Sequence, residues 1–493
     1  MLRIILAVTA LVLFSAQRPV DAASSSAVGS SALGSTALGT SAVGSTALGS
    51  SAVGSSAVRS TESSAARVPA VSLALVGGTL IDGNGGAPIK NSVILIDGER
   101  IVAVGQVGSL AIPAGVTVVS TEGMHVLPGL WDMHVHLMLV GHGNYAYWDR
   151  VYPAEIGRTI IPAAAKQNLM AGVTSVRDLG APLDEVLDVK RRIAQGELQG
   201  ATIYTSGPFL QHASYPGTER FRWGINGVID ARAKVKRLAD AGVDVIKLID
   251  QDQMTMEEVS AIVDEAHKYK LPVVAHAHRP EEMRRGLAAG VDDFEHTGMQ
   301  AAPAYAEDIM AQLRDRTAQG ARGPLFWTPT IDVLTNFTAR RDDDEYLDDP
   351  RWYQFLPDSI ARDIRRSLDR LDTLAYYRLV PDRGPTLQRK FRQLRESGVR
   401  MLIGTDAGVP ANFHGYATAE EMVTWVRAYN MDPMETIRAA TYWPALAMGV
   451  LDRVGTVSPG KTADIIAVRG NPLTSIEVLR DVQIVVQKGR RVR

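Results

Sequence analysis

Two pairs of histidines are spaced for joint chemistry. The apolar run LWDMHVHL carries His134 and His136, and VVAHAH carries His276 and His278. Along a strand, residues two apart face the same way, so each pair aims both imidazoles into one space. Composition alone gives on the order of 0.2 His-x-His patterns for ten histidines in 493 positions, against the two present. Three other polar residues stand late in apolar runs: Lys247 in VDVIKLI, His296 in VDDFEHT and Asp406 in RMLIGTDA. Singly they read as a strand end in water, a hydrogen-bonded core histidine and a turn residue. Together they form a candidate ligand set.

Histidine and carboxylate without thiolate suit a divalent ion of the zinc type, bound so that one coordination position stays open. The chain has no cysteine, which excludes disulfides, thiolate sites and cysteine nucleophiles. An ion of this kind activates water and polarises a carbonyl, and hydrolysis follows. Lys247 is the odd member. An ammonium beside a dication is repelled and offers no lone pair, so as a ligand it would have to be neutral or converted by CO2 to a carbamate, whose two oxygens can bridge two ions.

These residues need a scaffold that gathers strand ends. From about residue 124 to 447, short apolar runs alternate with amphipathic segments such as MEEVSAIVDEAHKYK and PEEMRRGLAAG. Eight such runs match the count of an α/β (β/α)8 barrel of the TIM type, in which function gathers where strands end and loops begin. A doubly wound open sheet is the competing arrangement. Residues 68–123 and 448–493 read instead as short strands separated by Gly, Asn and Asp turns, and predict one small β-sandwich domain completed by both chain ends.

The start of the chain reads differently. MLRIILAVTALVLFSAQRPVDA combines Arg3, an apolar run from Ile4 to Phe14 and small residues at Val20 and Ala22, so residues 1–22 predict a signal peptide and an exported, periplasmic or extracellular protein. The run is too short to span a membrane, and no span is expected after cleavage. Residues 23–67 contain a Ser/Ala/Gly repeat of five-residue units that reads as a flexible linker. A formal net charge of −2 with scattered Lys and Arg gives no basis for nucleic-acid binding.

The ordered set HVH, VIKLI, VAHAH, FEHT and GTDAG, with LPGLWDMHVHL, AGVTSVRDLG, RAATYWPALAMGV and SPGKTADIIAV around it, resembles the amidohydrolase superfamily, in particular its imidazolonepropionase-like and prolidase-like secreted hydrolases. The resemblance implies a first metal on His134, His136 and Asp406 and a second on His276 and His296. Two zinc ions per chain would then be bridged by carboxylated Lys247, with His278 left to contact substrate or the developing oxyanion. It further implies hydrolysis of carbon–nitrogen bonds in a small amide or peptide, such as a dipeptide or N-acyl amino acid, by a metal-activated hydroxide, with Asp406 shuttling the proton. A mononuclear deaminase or cyclic amidohydrolase of the same superfamily stays open, as does a non-catalytic secreted binding protein with a vestigial site.

Substrate contacts are expected from strand-end loops. Arg177, His212, Tyr215, Arg220 and Arg222 are the candidates for holding a carboxylate, with His414 as a further group after Asp406. An insertion at about residues 340–385 predicts a lid, a dimer contact or a solvated helical hairpin. Homo-oligomerisation is left open.

Overall fold

A computed structural model describes residues 71–298, 301–320, 323–335, 340, 343–369 and 375–493. The predicted signal peptide and repeat lie outside the described residues. Among the described residues no helix is long and apolar enough to cross a membrane.

The middle of the chain alternates strands and helices as its periodicity predicts. Leu130–Val135, Val173–Asp178 and Thr202–Thr205 form one parallel sheet. A second parallel sheet contains Ile246–Leu248, Val273–His276, Asp293–Glu295, Phe326–Thr328 and Arg400–Met401 in chain order. From Ile246–Leu248 onward neighbours follow sequence order; before it the order is broken, because Phe209–Gln211 lies between Arg222–Gly224 and Ile246–Leu248. Backbone hydrogen bonds link the two sheets: Asp244 N–H donates to the Thr205 carbonyl at 2.8 Å, and Met133 N–H to the Ile403 carbonyl at 2.9 Å. His136 N–H adds a bond to Ala407 at 2.8 Å. The result is a mainly parallel α/β fold whose strand ends converge.

Local chemistry fixes the helices between these strands. Met256–Lys268 begins with a reciprocal capping box in which Glu258 N–H donates to Thr255 Oγ1 at 3.2 Å and Thr255 N–H to Glu258 Oε2 at 2.8 Å. Its apolar face, including Val259, Ile262 and Val263, is buried. Pro280–Ala289 starts with proline in its first turn and stops at Gly290, whose φ of 89° favours glycine.

The chain ends form two further sheets. Leu73–Val76, Ser92–Asp97, Arg100–Gln106 and Thr117–Ser120 make one, and in the other Ile465–Arg469 pairs antiparallel with both Met124–Pro128 and Val482–Gln487. One apolar cluster joins Leu75, Ile94 and Ile96 of the first to Val126, Ile465 and Ile484 of the second. Met124–Pro128 therefore belongs with the chain ends, which moves the expected start of the middle segment at 124 a few residues later.

The insertion differs from a solvated hairpin. Trp352, Ile360 and Ile364 are buried. The Trp352 ring stacks on Phe413 at 5.4 Å, and Ser367 Oγ accepts the Gly143 N–H at 2.8 Å. The insertion thus packs on the loops that follow the His134 and Asp406 strands.

Candidate metal centre

The strand Leu130–Val135 is buried along its length, and alternation puts Asp132, His134 and His136 on one face. His134 Nδ1 lies 2.7 Å from Glu295 Oε2. A carboxylate there accepts a hydrogen bond from Nδ1–H, which fixes the proton on Nδ1 and leaves the Nε2 lone pair for the centre. His134 Nε2 and His136 Nε2 stand 3.5 and 3.2 Å from Asp406 Oδ1. Asp406 reaches them through a left-handed backbone (φ 58°), held by its N–H donating to the His134 carbonyl at 2.7 Å.

His276, His278 and His296 make a second cluster; in each cluster the ligand atoms lie within 4.8 Å of one another. His296 Nε2 is 3.1 Å from His276 Nδ1, while its own Nδ1 is fixed by Thr330 Oγ1 at 2.8 Å. The His134 and His296 rings are 4.7 Å apart, so the clusters adjoin. His296, like Asp406, has a left-handed backbone, with φ 74°. Strand alternation sends Glu295 inward; the turn at His296 lets its neighbour face the same centre.

Lys247 is buried in Ile246–Leu248, and its charge acts on His134, His276, His296 and Asp406. Its Nζ makes no hydrogen bond among the described residues, and neither does His134 Nε2. Burial lowers the Lys247 ammonium to about 8 against the pull of Glu295. Burial, and then the charge of Lys247, holds His134 and His276 well below the ordinary histidine range. His296 is depressed likewise by burial and then by His278. These are neutral imidazoles with available lone pairs beside a carboxylate and an unpartnered amine. That donor set fits divalent ions with nitrogen and oxygen ligands.

The structure brings His134, His136, Lys247, His276, His278, His296 and Asp406 to one place. His278, expected to face substrate, also offers a ligand atom in the second cluster, with its ring 4.3 Å from that of His296.

The substrate candidates divide. Arg177 is a correction: it is buried under the centre, donating to the Met133 carbonyl, Asp293 and Glu295, each at 2.7 Å. Arg220 is another, because it pairs with Asp149 and Glu185. His414 is a third; it is buried with its Nε2 2.7 Å from the Leu139 carbonyl, and burial lowers it to about 4. His212 is exposed. Tyr215 is also exposed, and its hydroxyl reaches Asp250 at 3.3 Å. Arg222 packs over the rings of Phe209 and Tyr215, at 4.7 and 4.9 Å. A Cβ on Gly180 would meet both the Phe209 ring, at 2.7 Å, and His136 Nδ1, at 3.4 Å, so Phe209 links Arg222 to the rim of the centre.

Two supporting groups escape the sequence reading. Glu295 and Asp293, two apart and inward, take Arg177 between them. Asp132 accepts from Thr405 Oγ1 and Thr418 Oγ1, at 2.7 and 2.8 Å, and ties the Asp406 loop to the first strand. Only Asp132 carried a visible signal, an even spacing from His134 inside an apolar run; Asp293 and Glu295 stand three and one residues before His296, out of step with it.

Known proteins resemble this chain in sequence and fold. The chain is 26% identical over 463 residues to ochratoxinase of Aspergillus niger, with 84% of this chain and 85% of that protein covered. A solved Xaa-Pro dipeptidase with methionine bound in its active site is 27% identical, covers 85% of this chain and 99% of its own, and superposes with a TM-score of 0.67. The crystal structure of Aspergillus niger ochratoxinase shares the fold with a TM-score of 0.64 at 23% identity, covering 85% of this chain and 95% of its own. Fold, site and relatives define a hydrolase acting on carbon–nitrogen bonds. Residues 125–492 match the amidohydrolase family, and the chain belongs to it.

Proposed function

We propose that this chain is an exported hydrolase of amide or peptide bonds in small molecules, dependent on two divalent ions, with zinc the favoured metal. His134, His136 and Asp406 would hold one ion and His276 and His296 the other, with Lys247 carboxylated between them. The observation that carries this reading is the unpartnered Lys247 Nζ, buried beside two ligand clusters whose His134 and His276 are held below the ordinary histidine range. The parallel strands are read as a closed (β/α)8 barrel, supported by the hydrogen bonds from Met133 to Ile403 and from Asp244 to Thr205. The two terminal sheets sharing one apolar cluster support a β-sandwich.

Bound at this centre, a divalent ion lowers the pKa of water to near 7 and polarises a carbonyl. The side chains do the rest. Glu295 keeps His134 in the tautomer that presents Nε2, and Arg177 holds Glu295 in place. Asp406 takes a proton from the attacking water and delivers it to the leaving nitrogen, as the oxygen bonds to the carbonyl carbon and the C–N bond breaks. The products are a carboxylic acid and an amine. Arg222, at the end of the aromatic path from His136, is the candidate contact for the distal part of the substrate, and His212 and Tyr215 stand on the exposed rim.

The test is turnover on a panel of dipeptides and N-acyl amino acids. Hydrolysis that disappears with chelator and returns with zinc is the expected result. A panel with no metal-dependent turnover, on protein shown to carry its ions, would remove the amide-hydrolase reading.

A further inference from the structure

At the turn after the Phe326–Thr328 strand, conformation and residue type disagree. Thr330 is buried and has a left-handed backbone, with φ 44°. Among the described non-glycine residues with positive φ it alone is branched at Cβ, and for such a residue that conformation is a true outlier. Glycine would adopt it without strain. Strain of this kind persists where the surroundings over-determine it, and here the surroundings can be named.

The Thr330 hydroxyl reaches His296 Nδ1 at 2.8 Å. His296 is itself left-handed, so two strained residues are joined through their side chains. The two turns also grip each other through the backbone: His296 N–H donates to the Thr328 carbonyl at 2.7 Å, Trp327 Nε1 to the His296 carbonyl at 2.6 Å, and Thr297 Oγ1 to the Pro329 carbonyl at 3.3 Å. For His296 Nε2 to offer its lone pair to an ion, Nδ1 must keep its proton and donate a hydrogen bond to Thr330 Oγ1.

The clamp on Thr330 comes from the other half of the site. Glu421 is fully buried on helix Tyr416–Arg427, which follows the Asp406 loop. Its Oε1 accepts from the Ile331 N–H at 2.9 Å and its Oε2 from the Asp332 N–H at 2.7 Å. Trp425 Nε1 donates to the same carboxylate at 2.7 Å, and Thr424 Oγ1 donates to Asp332 at 2.6 Å. The two backbone N–H groups directly after Thr330 are thus held by one carboxylate. We infer that Thr330 and Glu421 are positioning residues for the second ion: Glu421 clamps the turn, the turn keeps Thr330 left-handed, and the Thr330 hydroxyl sets the tautomer and angle of the His296 ring. The helix behind Asp406 thereby serves the opposite cluster as well. The inference rests on the two-ion reading of the centre.

Zinc binding to the full chain, followed by competition with a chelating dye, tests this without turnover. Wild type is expected to show two binding steps, one of which His296→Ala abolishes. Thr330→Val keeps the branched shape without the hydroxyl and should weaken that step about 10–100-fold. Thr330→Gly, which fits a left-handed backbone without strain, should weaken the same step and decides the matter should the valine variant fail to fold. Thr330→Ser, which returns the hydroxyl, should stay within about threefold of wild type, and Glu421→Gln should weaken the step about threefold to tenfold. Wild-type affinity in Thr330→Gly, or a serine variant as weak as the glycine one, overturns the role of the hydroxyl while leaving the two-ion reading standing; an unchanged Glu421→Gln overturns the clamp. A single binding step in wild type removes the two-ion reading and the inference with it.

Discussion

Three clusters near the strand ends have the spacing of a metal site, and only the two built on histidines have the chemistry. Asp250, Asp252 and Glu282 bring three carboxylates within 4.8 Å, as closely as His134, His136 and Asp406. In the acidic cluster Arg279 occupies the middle, with Nη2 at 2.9, 2.6 and 2.9 Å from Asp250, Asp252 and Glu282 and Nε at 2.5 Å from Asp252. Its charge is answered by the protein. In the histidine cluster the His134 Nε2 and the nearby Lys247 Nζ are buried without hydrogen bonds among the described residues. Ligand-like spacing is therefore a weak sign, and unanswered buried polarity a strong one. The acidic cluster still serves the site, because Arg279 ties the loop after Lys247 to the loop after His276.

The contrast can be broken from either side. The largest effect is expected from Asp406→Asn, which keeps the shape but loses the proton carrier; kcat should fall about 1,000-fold, roughly 4 kcal/mol, with KM little changed. Steady-state kinetics on the best amide substrate measures it. On the other side, Arg279→Met removes the cation from among three carboxylates, and denaturant unfolding should show a loss of about 3 kcal/mol, since removing one partner leaves buried charge uncompensated.

Histidines offer a subtler version of the same comparison. His414 is as buried as the ligand candidates, but its ring is spent on the Leu139 carbonyl. Burial lowers its folded pKa from 6.5 to about 4, so below 6.5 the unfolded chain takes a proton that the folded one refuses. Its contribution is whole above pH 6.5 and is lost as pH falls toward 4. Unfolding free energies across that window should drop by about 2–3 kcal/mol on this account, and His414→Gln, which keeps a donor for Leu139, should flatten that slope. The smallest effect is expected from Glu295→Gln. Weakening the hold on His134 Nδ1 should cost 10–100-fold in metal affinity, about 1.4–2.7 kcal/mol, read by competition with a chelating dye.

The paired histidines were legible because alternation in a strand makes His-x-His a statement about direction. Lys247 stood out because a cation late in an apolar run needs a reason. The arginines were not legible, since their partners are remote: Arg177 meets Asp293 and Glu295, 116 and 118 residues away, and Arg220 meets Asp149, 71 residues away. His296 and Asp406 were visible as residues, but not the left-handed backbones that aim them, because neither type advertises a positive φ as glycine does. The parallel α/β arrangement followed from periodicity, whereas the switch of Met124–Pro128 to the terminal sheet depends on Ile465–Arg469, which only the folded chain brings alongside.

Metal content of the purified protein, prepared with zinc and bicarbonate, is the most direct test of the central claim that both histidine clusters and Lys247 form one centre. The account predicts about two ions per chain, falling when Lys247 is replaced by methionine. About one ion per chain, unaffected by that replacement, would contradict the bridged centre, and no bound ion with no rescue by added zinc would contradict the metal site itself.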